Sequence, residues 1–358
     1  MLFFTRWKAA AILLTAFVVC LCAVPNLFSD KLFARLPGWA QHHIALGLDL
    51  QGGSSLLLQV DTSAVRQERL QALTDDVLPV LRQARIPFTG RAIQGGSVVV
   101  HVTRPEDVKT ALDKLGELSQ ALTGIAASTG QRSLNISEQS GLITLTPTDP
   151  ALTERIRQAV DQSIEIIQRR VNELGTTEPS IQREGVDRIL VQVPGLQDPT
   201  HLEEILGKTA KLDFRMVDLS MTAEQALASH PPPDSEVLNG QKPGEKYLIE
   251  KRVLVSGGDL VDAEPGFDQR TNEPVVNFRF NSSGARKFAE ATQQNVGKPF
   301  AIVLDNQVVS APVIREPILG GQGQISGDFT VQQATDLAIL LRAGALPAPL
   351  SIVQENTV

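Results

Sequence analysis

Cysteine and aromatic residues are scarce in this chain, and acidic residues outnumber basic ones. Its 358 residues include two cysteines, Cys20 and Cys22, which excludes a disulfide framework and a cysteine-rich zinc module. Aromatic residues make up 4% and tyrosine occurs once, at Tyr247, so an aromatic platform for stacking bases is not expected. The 33 basic and 40 acidic side chains leave a net charge of −7, whereas a nucleic-acid binder normally presents a basic face.

Sequence signatures of catalysis are also lacking. There is no Gly-x-Ser-x-Gly elbow, and the turn at 51–54 lacks the lysine with which a phosphate loop contacts its phosphates. Asp49 is interpreted as a turn-capping carboxylate, with a catalytic acid as the alternative. His42 and His43 could bind a metal only with distant partners, and the other histidines show no helical metal-binding spacing. We therefore expect no catalytic residue, no cofactor and no metal site.

The composition that remains is that of a folded protein with an apolar start. Hydrophobic residues make up 42% and charged residues 20%, and the length suits two or three domains. Residues 9–29 form an uncharged run that would span about 30 Å as a helix, the thickness of a hydrocarbon core. Because Arg6 and Lys8 precede it, the N-terminus is expected in the cytoplasm. A cleaved signal peptide is the alternative, although for cleavage after Ala23 Leu21 would occupy a position that requires a small residue.

Helical and strand patterns alternate through the rest of the chain, which predicts an α+β fold. Helices are expected at 63–84, 105–122 and 150–174, and strands at 56–60 and 211–217, among others. A strand–turn–strand–helix unit occurs at 93–122 and again at 181–208. With a strand and helix before it and a strand after it, such a unit forms a split β-α-β-β-α-β lobe. Two ferredoxin-like lobes in tandem are therefore expected.

Several sequence blocks resemble the SecD subunits of the bacterial Sec translocase. The first block, 46–53, follows the predicted membrane helix and contains the family-motif residues Gly47, Asp49, Gln51, Gly52 and Gly53. Further matching blocks lie at 170–175, 178–183, 187–195, 311–315 and 341–350. Each block is moderately specific, and their common order along the chain carries the resemblance.

The resemblance implies a non-enzymatic, accessory role in protein export. SecD works with SecF beside the Sec channel, SecYEG, and uses the proton-motive force to assist secreted polypeptides on the periplasmic side. The family is related to the proton-driven RND transporters. The implied partners are SecF, SecYEG and its other accessory membrane subunits, an unfolded secretory polypeptide as client, and the lipid bilayer of the bacterial inner membrane.

The family pattern also implies a division of the chain into segments. Cytoplasmic, transmembrane and juxtamembrane segments would occupy 1–8, 9–29 and 30–45. A ferredoxin-like periplasmic base would combine 46–62, 150–218 and 325–358, an additional α+β lobe would occupy 63–149, and a mobile head would occupy 219–324.

Two groups of head residues are candidates for function. Val313, Ile314 and Arg315 are candidate contacts for the client polypeptide, with hairpin packing as the alternative. Glycines are expected to serve as hinges because they accommodate changes in φ and ψ at low cost, with ordinary loop glycines as the alternative. The candidate hinge glycines are Gly257, Gly258, Gly320, Gly321 and Gly323.

The resemblance also implies further membrane helices that carry the family's proton-conducting acidic residues, and these helices are expected outside residues 1–358. The chain as given is thus expected to have a single membrane pass and no proton path of its own. It would be a truncated product or be completed by another polypeptide. A membrane-anchored periplasmic enzyme and a structural or binding scaffold remain the alternatives from other functional classes.

Overall fold

A computed structural model describes residues 7, 10, 12–17, 52–120, 132–176 and 179–357. The predicted membrane span at 9–29 falls mainly outside these residues, as do Gly47, Asp49 and Gln51. None of the helices formed by the described residues is long and apolar enough to cross a membrane. From residue 52 onward the described chain is a mixed α+β structure.

The described helices and strands are numbered in chain order. The helices are α1 (Thr62–Gln83), α2 (Val108–Gly116), α3 (Asp149–Glu173), α4 (Thr200–Gly207), α5 (Ala223–Ser229), α6 (Ser282–Gln294) and α7 (Val331–Ala343). The strands are β1 (Gly53–Val60), β2 (Phe88–Gln94), β3 (Ser97–Val102), β4 (Leu134–Gln139), β5 (Leu142–Pro147), β6 (Ser180–Glu184), β7 (Arg188–Pro194), β8 (Leu212–Val217), β9 (Ser235–Gly240), β10 (Lys246–Ser256), β11 (Leu260–Phe267), β12 (Pro274–Phe280), β13 (Phe300–Leu304), β14 (Gln307–Ser310), β15 (Gln322–Ser326) and β16 (Leu350–Thr357).

The first unit is a four-stranded antiparallel sheet in the order β16-β1-β7-β6. Alternate residues of its strands share a core with α3 and α4, since side chains two apart on a strand point to one face. Leu56, Val191, Ile167 and Leu202 are representative of that core, each at most 2% exposed. In chain order the unit is β1-α3-β6-β7-α4-β16, with one insertion after β1 and another after α4.

The second unit, inserted after β1, is a sheet in the order β2-β3-β5-β4 packed by α1 and α2. Its core is separate and includes Val77, Val100, Leu115 and Ile143, all fully buried. The β2–β3 turn contains Gly95 and Gly96, which both have positive φ. This unit therefore has its own hydrophobic cluster within residues 62–147.

The third unit, inserted after α4, combines a closed barrel, β10-β8-β13-β14-β9, with a sheet β11-β12-β15. Helices α6 and α7 pack on it. Its core gathers five of the thirteen phenylalanines of an otherwise aromatic-poor chain. These are Phe214, Phe278, Phe280, Phe288 and Phe300, and the ring of Phe214 lies 5.3–5.9 Å from the other four.

The structure corrects several predicted assignments. The strand at 56–60 does not complete the second unit; as β1 it pairs with β7 and with the distant β16. The strand at 212–217 pairs within the barrel and α7 packs in the third core, whereas the family pattern implies that both belong to the base; the division into base and head stays a prediction. The expected tandem lobes are therefore wrong in their flanking strands, because strand pairing depends on distant residues that a local pattern does not contain.

Elements were also missed within 219–326. Helix α5 and the strands β9, β11 and β15 occupy stretches for which the sequence analysis predicted no helix or strand. In particular, β15 overlaps the glycine-rich stretch that was expected to be a flexible joint. Its residues pair with β12 from Val275↔Ser326 to Arg279↔Gln322.

Candidate functional site at the junction of two units

The chain passes between the first and third units twice, and both passages lie side by side. Residues 208–211 connect α4 to β8, and residues 344–349 connect α7 to β16. The amide of Leu346 donates to the carbonyl of Thr209 at 2.8 Å, which joins the two connections directly. We call these two connections, together with the Arg170 and Asp305 side chains that bind them, the junction.

Arg170 is the central residue of the junction. It lies on α3 with 0% exposure, and its guanidinium donates to four backbone carbonyls. Nη1 binds the carbonyls of Ile205 and Lys208 at 2.8 and 2.5 Å, at the end of α4. Nη2 binds those of Thr209 and Gly344 at 3.1 Å each. One side chain on the first unit therefore holds both connections.

The position of Arg170 suits a buried cation. Burial lowers the pKa of its guanidinium to about 10, and the Asp305 carboxylate opposes that shift. The group is still protonated at neutral pH. The carbonyls that it binds lie in the last turn of α4 or shortly after the C-terminal ends of α4 and α7, where helix dipoles place partial negative charge. Nε has no hydrogen-bond partner, so the guanidinium is held through its two terminal nitrogens.

Asp305 attaches the third unit to the first connection. It lies in the β13–β14 turn, and its carboxylate accepts hydrogen bonds from the hydroxyl of Thr209 and from the amides of Ala210 and Lys211, the amides at 2.9 and 2.8 Å. Its own amide donates to the carbonyl of Lys211 at 3.0 Å. Ala210 has a φ of 60°, a conformation that costs a residue with a Cβ about 1–2 kcal/mol. The Asp305 contacts stabilise that backbone.

Apolar and charged contacts surround these hydrogen bonds. A small cluster of Ile205, Ala210 and Leu340 fills the space between α4 and α7. Polar pairs cross between the units at the surface, among them Arg342–Glu173 at 2.8 Å and His201–Asp336 at 3.0 Å. Beside them opens a cleft of about 660 Å³ whose charged lining residues are Glu204, Lys208, Lys242, Asp305, Asp328 and Asp336.

The described family-motif glycines lie at the start of β1. Gly52 and Gly53 have φ values of 67° and 143°, which favour glycine. The carbonyl of Gly52 accepts from the amide of Gly195 at 3.0 Å, and Gly53 pairs with Pro194. The motif thus joins the first strand to the end of β7.

The candidate hinge glycines lie inside the third unit, apart from the junction. A Cβ at Gly257 would lie 2.9 Å from that of Leu212, one at Gly321 would collide with Ala285, and one at Gly323 with the ring of Phe278. Close packing therefore accounts for these three. Gly258 and Gly320 have room for a Cβ. A hinge role at any of the five remains a prediction.

The three candidate client contacts differ in exposure. Val313 is 54% exposed and Arg315 is exposed, whereas Ile314 is 6% exposed and packs in the third core. The amide of Ile314 donates to the carbonyl of Lys298 at 3.0 Å. Val313 and Arg315 are therefore the members of this set that present a surface, and client contact remains a prediction.

The sequence analysis missed Arg170, although a signal for it was present. Val160, Ile167 and Val171 define the buried face of α3, and Arg170 lies three residues after Ile167 on the same face. A charged side chain on an apolar helix face needs buried partners. That rule could have identified Arg170 as a buried charge from the sequence, but it could not have identified the groups that bind it. Among the described residues, no group of three or more histidine, cysteine or acidic side chains could hold a metal ion.

Three family models match the chain in order. The "SecD/SecF GG Motif" covers residues 39–64, "Protein translocase subunit SecDF, P1 domain, N-terminal" covers 160–219, and "SecDF, P1 head subdomain" covers 235–348. The second of these models includes the first connection and all of β8, and the third begins in β9 and ends in the second connection.

Relatives match over nearly the whole chain. "Protein translocase subunit SecD" from Rickettsia bellii is 39% identical over 99% of this chain and 65% of the relative, and that from Acetobacter pasteurianus is 40% identical over 100% and 66%. The chain thus spans about two thirds of the length of these curated relatives. A crystal structure of SecDF in a super-membrane-facing form aligns over 96% of this chain and 35% of its own, with 27% identity and a TM-score of 0.50. Together with the three matching family models, these relatives establish that the chain belongs to the SecD family of protein translocase subunits.

Proposed function

We propose that this chain forms the periplasmic part of a SecD subunit that assists proton-motive-force-dependent export of polypeptides across the bacterial inner membrane. Residues 9–29 would anchor it as a single transmembrane helix with a cytoplasmic N-terminus. The subunit would act with SecF and the SecYEG channel, would have an unfolded secretory polypeptide as client and would not be an enzyme. Proton conduction would reside in membrane helices outside residues 1–358.

The division into a base and a head follows the three units. The first unit, β1-α3-β6-β7-α4-β16, has the connectivity and strand order of a ferredoxin-like lobe, and we propose it as the base. The third unit, from β8 to α7, would be the head, and the second unit an additional lobe. These boundaries move β8 and α7 from the base, where the family resemblance places them, to the head.

The junction is the observation that supports this proposal most strongly. Two units with separate cores are joined by two adjacent connections, an arrangement that suits a head moving as a body relative to a base. Val313 and Arg315 lie exposed on the proposed head and could contact a polypeptide emerging from the channel.

Complementation tests the proposed function. In bacterial cells depleted of SecD, a secreted reporter would be followed by pulse-chase, with signal-peptide cleavage as the readout. We expect rescue by a full-length SecD in which residues 1–358 are those of this chain, and no rescue by residues 1–358 alone. Failure of the full-length form, with its accumulation in the membrane verified, would contradict the proposal.

Site-specific photocrosslinking tests client contact. A photoreactive amino acid at Val313 is expected to crosslink to a stalled secretory chain. The matched control is Val186, which is 57% exposed against 54% for Val313 but lies at the β6–β7 turn of the first unit. Equal crosslinking at both positions, or none at Val313, would count against a client surface on the head.

A further inference from the structure

The junction has the geometry of a pivot. Both covalent links between the first and third units pass through it, and the Leu346–Thr209 hydrogen bond holds them together. Two links that lie side by side leave rotation about one local axis as the least restricted motion between the bodies they join. Links far apart would have prevented that rotation.

The glycine-rich stretches do not have this geometry. Gly257 and Gly321 pack against Leu212 and Ala285 within the third unit, so a bend there would break its core and leave the head orientation unchanged. The junction itself has one glycine with positive φ, Gly344, whose Cβ position is open.

Arg170 determines what rotation at this pivot costs. It is anchored on α3 of the first unit, whereas Gly344 follows α7 of the third. Rotation of α7 away from α3 would therefore break the Nη2 bond to Gly344 while the Nη1 bonds at the end of α4 can persist. Loss of the bond leaves a partly buried carbonyl without its charged donor, which is unfavourable. The surface pairs Arg342–Glu173 and His201–Asp336 would separate in the same movement.

We propose that residues 208–211 and 344–346 are the pivot between base and head, and that Arg170 is a positioning residue that sets the resting orientation of the head. Its importance for export rests on the function proposed above, whereas the location of the pivot does not. A lysine cannot replace Arg170, because its single ammonium nitrogen cannot reach all the carbonyls that the two terminal nitrogens of the guanidinium bind.

Distance measurement between spin labels tests this inference directly. In the full chain with Cys20→Ser and Cys22→Ser, labels would be placed at Val186→Cys in the first unit and Leu227→Cys on α5 in the third, both exposed. We expect a narrow distance distribution in the parent chain and one that is broader by at least about twofold with Arg170→Lys. Arg169→Lys, a change at the neighbouring exposed position of α3, is the matched control and should leave the width unchanged.

Two further variants keep the test decisive. Should Arg170→Lys lose its folded circular dichroism spectrum, Asp305→Asn, which removes the charge that holds Thr209 and Lys211, is expected to broaden the distribution instead. Gly258→Ala and Gly320→Ala should have no effect on it. An unchanged distribution in folded Arg170→Lys, or one that responds to the glycine changes, would overturn the inference. Export measured with full-length SecD carrying Arg170→Lys tests the proposed function separately. A broadened distance distribution with undiminished export would contradict a role of head orientation in export, whereas the location of the pivot would still be supported.

Discussion

Replacing Phe214 with alanine should destabilise the third unit and leave the second unit unaffected. Phe214 is 1% exposed, and its ring lies 5.3–5.9 Å from four other phenylalanine rings. Replacement of a buried phenylalanine by alanine costs about 3–5 kcal/mol in total, and the four aromatic contacts of Phe214 place this site in the upper part of that range. We therefore expect a loss of about 4–5 kcal/mol, a large part of a typical domain stability of about 5–15 kcal/mol.

Hydrogen exchange followed by mass spectrometry provides the measurement. A loss of about 4 kcal/mol corresponds to a fall of roughly a thousandfold in the protection of amides that exchange by unfolding of the third unit. Peptides from β12 and α7 should show this fall, whereas peptides from β3 and β5, which belong to the separate second core, should keep their protection.

The control for this prediction is Phe267→Ala. Phe267 lies on β11 of the same unit but is 55% exposed, so its replacement should change stability by less than about 0.5 kcal/mol. A similar effect of both substitutions, or an equal loss of protection in β3 and β5, would refute the reasoning that the five-phenylalanine cluster stabilises one unit alone.

Two more predictions concern a carboxylate and a packed glycine. Burial, and then the nearby Glu355 carboxylate, raises the pKa of Glu203 above its ordinary value, so stability present at acid pH is lost as the pH rises from 4.5 through the raised pKa. Glu203→Gln should therefore raise the melting temperature at pH 7 more than at pH 4, by the equivalent of less than about 1 kcal/mol, and a lower melting temperature at pH 7 would contradict this. Gly323→Ala places a Cβ against the ring of Phe278 and should destabilise the third unit by about 1–3 kcal/mol in urea unfolding, whereas Gly320→Ala, where the space is open, should cost less than about 0.5 kcal/mol. An equal loss of unfolding free energy in Gly323→Ala and Gly320→Ala would contradict the prediction that the ring of Phe278 leaves no room for a Cβ at position 323.

Local elements were predictable because their signals are local. The apolar spacing of α3 predicts a helix at 150–174, and the structure has Asp149–Glu173. Hairpins such as β2–β3 and β4–β5 follow from strands flanking a turn, with positive φ at Gly95 and Gly141. Within 219–326 the periodicity of apolar residues was weaker, and it did not predict α5, β9, β11 or β15.

The pairing of distant strands was not predictable in the same way. β1 and β16 lie at opposite ends of residues 52–357, yet Leu56 pairs with Glu355. A single strand pattern states which face is apolar but not which partner it has, so the nearest strand along the chain was the natural but wrong choice. The family resemblance did place 46–62 with the C-terminal segment, which local pattern analysis could not.

The junction shows the same limit at the level of single residues. Arg170 was identifiable as a charge on an apolar helix face, but its four carbonyl partners come from α4, from the first connection and from the end of α7. The candidate hinge glycines illustrate the reverse case. Their flexibility was inferred from residue type, whereas Gly257, Gly321 and Gly323 are needed for close packing in the structure.

The order of amino acids was sufficient to specify the α+β class, most helices and hairpins, and membership of the SecD family, because periodicity, turn residues and motifs are all properties of short segments. Folding in three dimensions was needed to divide the described chain into three units and to bring Arg170, Asp305 and the two connections to one point. That assembly depends on contacts between segments more than a hundred residues apart in sequence, as between Arg170 and Gly344, and those contacts form only when the units have packed.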